Sequence, residues 1–139
     1  MKRLIAIPAL ERATHAIALY LSQQTELDVT QAEAHVLAYL NGRPAASINE
    51  IHAAFGHRRS TLTSVLDRLE RRNTLKRATD PDNRRSVIIT LTRSGKALST
   101  RVSEALHRLE AQGLRGCSAA DLDAFQRVLQ QFSDRAAEA

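Results

Sequence analysis

The chain has 139 residues and a formal net charge of +5, and 43% of its residues are hydrophobic. This length suits one domain or one domain with an extension, and only five glycines and three prolines favour an ordered, mainly helical protein. The single cysteine, Cys117, excludes an internal disulfide and indicates a reducing compartment. No segment approaches the roughly 20 apolar residues that span a bilayer, and the apolar run after Lys2 and Arg3 ends too early for a signal peptide. The sequence therefore predicts a cytoplasmic protein with no membrane partner.

Three helices are predicted in the first part of the chain. Residues 7–24 carry apolar side chains at helical spacing. Two Ser/Thr-x-x-Glu segments, at 30–33 and 47–50, are capping boxes, in which the hydroxyl and the carboxylate each satisfy a free backbone N–H. The first box opens a helix that ends at residues 41–42, and the second opens a short helix that ends at Gly56.

A basic helix over residues 59–72 is predicted directly after this short helix. Two short helices joined by a tight, glycine-containing turn form a helix-turn-helix unit. The basic helix carries an apolar stripe that should face the core, made of Leu62, Val65, Leu66 and Leu69. Its start carries hydroxyls and arginines that remain free to face outward, namely Arg58, Arg59, Ser60, Thr61, Thr63 and Ser64.

Two strands and two long helices complete the predicted elements. Residues 75–78 and 86–91 read as strands, joined by a charged turn over residues 80–85. Thr92 can cap a helix that runs to about Gln112. After a break, Ser118 opens a last helix whose apolar face contains Leu122, Phe125, Val128, Leu129 and Phe132, and whose tail from residue 135 is expected to fray.

Basic charge is concentrated in residues 58–101, which contain 12 Lys and Arg against 4 Asp and Glu, a net of +8. The rest of the chain has 8 basic and 11 acidic residues, a net of −3. A clustered basic face attracts polyphosphate through the release of condensed counterions. A helix that begins with hydroxyls and arginines can enter a DNA major groove, and a basic hairpin beside it can reach the adjacent minor groove. The pattern predicts a winged helix-turn-helix protein that binds double-stranded DNA.

The reading of bases is assigned to the start of the basic helix, because Arg can bond guanine O6 and N7 and a Thr methyl suits the thymine methyl. Phosphate contacts are expected from the helix N-termini and from Arg68, Arg72, Arg77 and Ser47. At the wing, one of Arg84 and Arg85 should insert in the minor groove, while the other is bridged to Asp82 or Asp67; both assignments stay open. Asp67 is expected to be an intramolecular partner, because it would repel phosphate.

Four segments resemble the MarR family, the multiple-antibiotic-resistance type of bacterial repressor. They are Thr61-Leu62-Thr63, Asp67-Arg68-Leu69-Glu70, Asp80-Pro81-Asp82-Asn83-Arg84-Arg85 and Leu91-Thr92-Arg93-Ser94-Gly95. The resemblance is close over residues 47–96 and follows the element order of nearly the whole chain. It implies a mainly α fold with a small β-hairpin wing at about residues 79–86.

The resemblance also implies how the chain is divided into a DNA-binding domain and a dimerisation region. Residues 28–91 would form the winged helix-turn-helix DNA-binding domain, and residues 1–27 and 92–139 a helical dimerisation region. The function implied is that of a ligand-responsive homodimeric repressor on an inverted-repeat operator, since small anionic or phenolic molecules, or oxidants, often relieve DNA binding in relatives.

Three residues depart from the family pattern. Arg58 stands where Ser or Thr usually caps the recognition helix, so this cap should be weaker or supplied otherwise. Asn73 replaces a usual glycine and can still adopt the left-handed conformation. Thr74 replaces a usual leucine, which should loosen one core contact.

Other functions are less well supported by the residues. A winged-helix protein-interaction module that has lost operator binding, and a winged domain that binds RNA, are the alternatives; the retained hydroxyls and wing arginines argue against the first, and the 4% aromatic content against base stacking on single strands. No Gly-rich phosphate loop or nucleophile elbow is present, so neither an enzyme nor a cofactor is expected. The five histidines lack metal-ligand spacing, Cys117 has no resolving cysteine, and His57 is assigned at most a DNA-backbone contact.

Overall fold

The computed structural model describes residues 1–56 and 58–138, and this part of the chain is mostly helical with a small antiparallel sheet. The predicted fold class, mainly α with a β-hairpin wing, is therefore confirmed. His57, for which the sequence analysis allowed a contact to the DNA backbone, lies outside the described residues. In chain order the elements are α1 (Ile7–Ser22), α2 (Gln31–Leu40), β1 (Ala46–Ser47), α3 (Ile48–Phe55), α4 (Arg59–Arg71), β2 (Leu75–Asp80), β3 (Asn83–Leu91), α5 (Arg93–Gly113) and α6 (Ala119–Glu138).

The helix starts follow the predicted capping residues. The Glu33 N–H donates to Thr30 Oγ1 at 3.2 Å, and the Glu50 N–H donates to Ser47 Oγ at 3.1 Å. The prediction that Glu33 also returns its carboxylate to a backbone N–H is wrong, because this carboxylate accepts from the Thr30 hydroxyl at 3.0 Å and pairs with Arg68 and Arg72. Helix α6 has the complete reciprocal box, since Ser118 and Asp121 exchange bonds of 2.9 and 3.1 Å.

Residues 1–106 form a compact unit with one hydrophobic core. The apolar stripe predicted for the basic helix is buried, as are the apolar residues of α2, which agrees with helices packed on one side. The largest fully buried side chains are Leu21, Val36, Leu37, Leu40, Ile51, Leu62, Val65, Leu66, Leu69, Leu75, Ile89 and Val102. This core fixes which face of α4 is left to solvent.

The sheet is larger than predicted and has the strand order β1-β3-β2. The hairpin extends to Asp80 opposite Asn83, with a register irregularity after Thr79. The sequence did not predict this extension because residues 79–85 are mostly polar and turn-forming, whereas the strand pairing depends on the backbone and not on these side chains. The two-residue β1 was not predicted. Its Ser47 pairs with Ile88 and also caps α3, with an extended backbone at φ −75° and ψ 154° that serves both roles.

The Leu-Thr-x-x-Gly motif joins α5 to the turn after α4. Asn73 has φ 60°, the left-handed conformation predicted for it, and Thr92 Oγ1 and Ser94 Oγ donate to its carbonyl at 2.7 and 2.9 Å. A Cβ on Gly95 would lie 1.7 Å from the Thr74 carbonyl oxygen, so only glycine fits this approach. Thr74 itself is buried, and its hydroxyl donates to the Leu69 carbonyl at 2.6 Å. The motif thus has a structural role.

Residues 107–139 form a second unit that contains α6. The predicted fraying from residue 135 is wrong, because α6 continues to Glu138. No residue of α6 is buried, and Phe125 and Val128 on its apolar face are 53% and 42% exposed. Among the described residues, no helix has the length and apolar character needed to cross a membrane.

Candidate nucleic-acid interface

The start of α4 presents a polar, basic face to solvent. Its apolar stripe is held in the core, so the residues between the buried positions point outward. The six side chains assigned to base reading are all exposed, namely Arg58, Arg59, Ser60, Thr61, Thr63 and Ser64. Arg58 is the N-cap in an extended conformation and makes no side-chain cap bond, as its departure from the family pattern predicted.

A shallow groove of about 100 Å³ lies between α3 and α4. Asn49 and His52 of α3 line it together with Arg59 and Thr63 of α4. These α3 residues were missed in the sequence analysis, although their spacing of three places them on the polar side of a helix whose apolar residues include Ile51. The groove therefore extends the polar, basic face at the start of α4 onto α3.

Two of the arginines expected to contact phosphate are held by a carboxylate of α2. Arg72 donates to Glu33 at 3.2 Å, and Arg68 Nε lies 3.5 Å from the other oxygen of Glu33. Arg72 also donates to the carbonyls of Asp28 at 2.6 Å and Leu27 at 3.2 Å. Arg72 is therefore a structural residue, and Arg68 has its charge partly balanced within the chain.

Arg77 of β2 is held in the same way by two carboxylates of α4. Its guanidinium donates to Glu70 at 2.5 Å and to Asp67 at 2.6 Å. The hydrogen bond to Glu70, with a further contribution from Asp67, outweighs desolvation and raises the pKa of Arg77. Asp67 is thus an intramolecular partner, as predicted, and the two bonds join the wing to the recognition helix.

The predicted bridge from a wing arginine to Asp67 or Asp82 is not formed. Asp67 is occupied by Arg77, and in the described part of the chain neither Arg84 nor Arg85 makes an ion pair. Both side chains are exposed on β3, beside a turn in which the Arg85 N–H donates to Asn83 Oδ1 at 3.2 Å. Both guanidinium groups are therefore available to an external anion.

The arginines of the predicted site fall into two groups, those with a carboxylate partner and those without one. Within the described ranges, no carboxylate pairs with the arginines at the start of α4 or on the wing, which are Arg58, Arg59, Arg84 and Arg85. Among the arginines that the sequence assigned to DNA, those paired with carboxylates are Arg68, Arg72 and Arg77. Unpaired positive charge is thus present at the two places where a duplex would be contacted by a helix start and a wing.

A cleft of about 690 Å³ lies within the first unit at the C-terminal end of α4, away from the start of that helix. It is lined by the end of α1, residues 24, 25 and 28–30, Glu33, and the last turns of α4 with Arg72. Cys117 is exposed and not part of a disulfide, and the described residues contain no group of three or more His, Cys, Asp or Glu that could hold a metal ion.

Sequence comparisons relate the chain to known regulators. The sequence model of the MarR family matches residues 29–87. The chain is 32% identical over 77 residues to the uncharacterized HTH-type transcriptional regulator YfiV of Bacillus subtilis (strain 168). That alignment covers 55% of this chain and 48% of the relative, so the matched part spans about half the length of that protein.

Structure comparisons show the same fold over nearly the whole chain. The S. aureus MepR–DNA complex has a TM-score of 0.80 at 20% identity, covering 96% of this chain and 99% of that chain. Bordetella bronchiseptica BpsR, whose DNA binding is regulated by 6-hydroxynicotinic acid, has a TM-score of 0.73 at 26% identity, covering 96% of this chain and 99% of that chain.

Proposed function

Because this chain belongs to the MarR family through its winged helix-turn-helix region, we propose that it is a sequence-specific regulator of transcription that binds double-stranded DNA. Members of this family are transcription regulators and not enzymes. The observation that carries the proposal is the solvent-facing start of α4, with exposed hydroxyls and arginines that have no carboxylate partner there. A protein-interaction module without operator binding would not require this arrangement.

The proposed reading head is the exposed face formed by α3 and the start of α4. Arg59 and Thr63 would meet base edges in the major groove, with Asn49 and His52 beside them. Arg84 and Arg85 would approach the minor groove or its phosphates. Ser60, Thr61, Ser64 and Arg58 belong to the same face, whereas Arg68 and Arg77 contribute less charge to DNA because of their internal partners.

We also propose a homodimer, in which residues 28–91 bind DNA and the helices of residues 1–27 and 92–139 form the interface. Support comes from α6, which has no buried residue although Phe125 and Val128 lie on its apolar face. A two-fold partner would cover such a face and would require an inverted repeat with half-sites about 10 bp apart. Sedimentation at micromolar concentration should give twice the chain mass; a monomer would contradict the dimer and the repeat.

Regulation by a small molecule and repression of transcription are the finer parts of the proposal. BpsR offers a precedent in which a small aromatic acid regulates DNA binding. The cleft of about 690 Å³ has the size of a small-molecule pocket and is lined by both α1 and α4. A panel of small aromatic acids should include one that raises the melting temperature, releases promoter DNA and induces a reporter; no response to any of them would contradict effector control.

The central test is a titration with a duplex that contains an inverted repeat from the promoter of the protein's own gene. Affinity should fall with salt, with a log–log slope of about −0.9 for each phosphate neutralised. Arg59→Ala and Thr63→Ala should each cost about 1–3 kcal/mol if the side chain contacts a base, and should relax preference at particular base pairs. Binding that does not depend on salt or on these residues would refute the proposed function.

A further inference from the structure

An ion pair between the buried carboxylate of Glu33 and the partly exposed guanidinium of Arg72 joins the start of α2 to the end of the recognition helix α4. Glu33 is 4% exposed, and among the residues that the structure describes it is the only buried ionisable side chain. We propose that Glu33 and Arg72 are positioning residues, which hold α4 at the angle that operator binding requires. This inference rests on the proposed function.

The helix start does not explain the charge of Glu33. Thr30 Oγ1 accepts the Glu33 N–H and donates its own proton to Glu33 Oε1 at 3.0 Å, and neither bond requires a negative charge at residue 33. A glutamine would serve a capping box equally well. A buried carboxylate is costly unless it is paired, and here the pairing groups are Arg72 at 3.2 Å and Arg68 at 3.5 Å, both from the recognition helix.

Besides Glu33, Arg72 also binds the backbone of the segment that follows α1. Its guanidinium also donates to the carbonyls of Leu27 and Asp28, at 3.2 and 2.6 Å. Asp28 has φ 48°, a left-handed conformation that most side chains disfavour, so this segment is held in a specific shape. The recognition helix is therefore fastened to a constrained linker and not to a freely moving loop.

Because the Glu33–Arg72 ion pair lies at the far end of α4, a small rotation there would produce a larger displacement at the reading head. Arg72 is the C-cap of α4, and Arg59 lies 13 positions earlier, about 20 Å away along the helix axis. A tilt of about 5° at the tied end would displace Arg59 by about 2 Å, whereas base contacts tolerate about 0.5 Å. A small change at Glu33 should thus disturb specific contacts before it disturbs the fold.

Glu33→Gln separates positioning from simple electrostatics, because the two predict changes of opposite sign. Removing a negative charge from a DNA-binding protein should tighten its binding to any duplex. Loss of positioning should instead weaken binding to the operator while leaving scrambled DNA unaffected or bound more tightly. The ratio of the two affinities is a readout that a merely destabilised fold would not change selectively.

The experiment measures binding of the full chain to the promoter duplex and to a scrambled duplex of the same composition. Glu33→Gln should lower the affinity ratio by about tenfold, the value of one good base contact. The matched control is Glu50→Gln in α3, which removes an exposed carboxylate that forms no ion pair among the described residues, and which should raise both affinities alike. Arg72→Lys keeps the charge but cannot reproduce all three bonds, and should lower the ratio in the same direction.

Thermal melts identify a temperature at which all variants are folded, and the affinities are compared at that temperature. If Glu33→Gln does not fold, Arg72→Lys provides the same test. The inference is overturned if the variants change both affinities by the same factor, as Glu50→Gln should. A wild-type protein that does not prefer the promoter duplex overturns the proposed function, and this inference with it. Wild-type preference that persists in Glu33→Gln and Arg72→Lys overturns the inference alone.

Discussion

Replacing Gly95 with alanine should separate α5 from the turn that ends the recognition helix. The new Cβ would lie 1.7 Å from the Thr74 carbonyl oxygen, whereas a close C···O contact is about 3.3 Å, so the helix start must move by about 1.6 Å. This movement would break the bond from the Thr92 N–H to the Thr74 carbonyl at 3.0 Å, and those from Thr92 and Ser94 hydroxyls to the Asn73 carbonyl.

Three lost hydrogen bonds of about 1 kcal/mol each are partly offset by the better helix propensity of alanine, worth up to about 1 kcal/mol. Gly95→Ala should therefore lower the free energy of unfolding by about 2–3 kcal/mol. Urea unfolding followed by circular dichroism at a fixed protein concentration measures the change. Gly113→Ala is the matched control in the same helix, because a Cβ there meets nothing within 4 Å, and should be neutral or slightly stabilising. Equal stability of the two variants would refute the reasoning.

Thr74→Val removes a buried hydroxyl that donates to the Leu69 carbonyl at 2.6 Å, and should cost about 1 kcal/mol in urea unfolding; no loss would show that this bond contributes nothing net. Arg77→Gln should change stability by less than about 1 kcal/mol, because its ion pairs are partly exposed, and should leave the salt slope of DNA binding unchanged. At least one of Arg84→Ala and Arg85→Ala should lower that slope by about one per subunit. A slope that responds to Arg77 and to neither wing arginine would reverse this assignment.

The features that the sequence predicted well depend on residues close together in the chain. The starts of α2 and α3 follow from hydroxyls at Thr30 and Ser47 that accept an N–H three residues later. The buried face of α4 follows from apolar residues at helical spacing. The left-handed turn at Asn73 follows from the conformational tolerance of asparagine. Such interactions are encoded locally, so a pattern of residue types is sufficient to find them.

The features that the sequence did not predict depend on distant partners or on backbone pairing. Arg72 and Glu33 are 39 positions apart, and no local pattern distinguishes an arginine that meets a buried carboxylate from one that meets a phosphate. Arg77 was assigned to DNA for the same reason. Strand β1 was missed because two residues are too few for an alternating pattern, and it forms only where β3 offers a partner.

Ser47 limits how the length of this protein can vary. One residue pairs with β3 as the end of β1 and caps α3, so no spacer separates the sheet from the helix that follows. An insertion between Ala46 and Ile48 would shift the cap or break the strand pair, and either change would alter the register of α3 against the wing. The preceding residues 42–45 are exposed and belong to no helix or strand. Natural insertions and deletions among homologous chains should therefore accumulate at residues 42–45 and be absent one residue later.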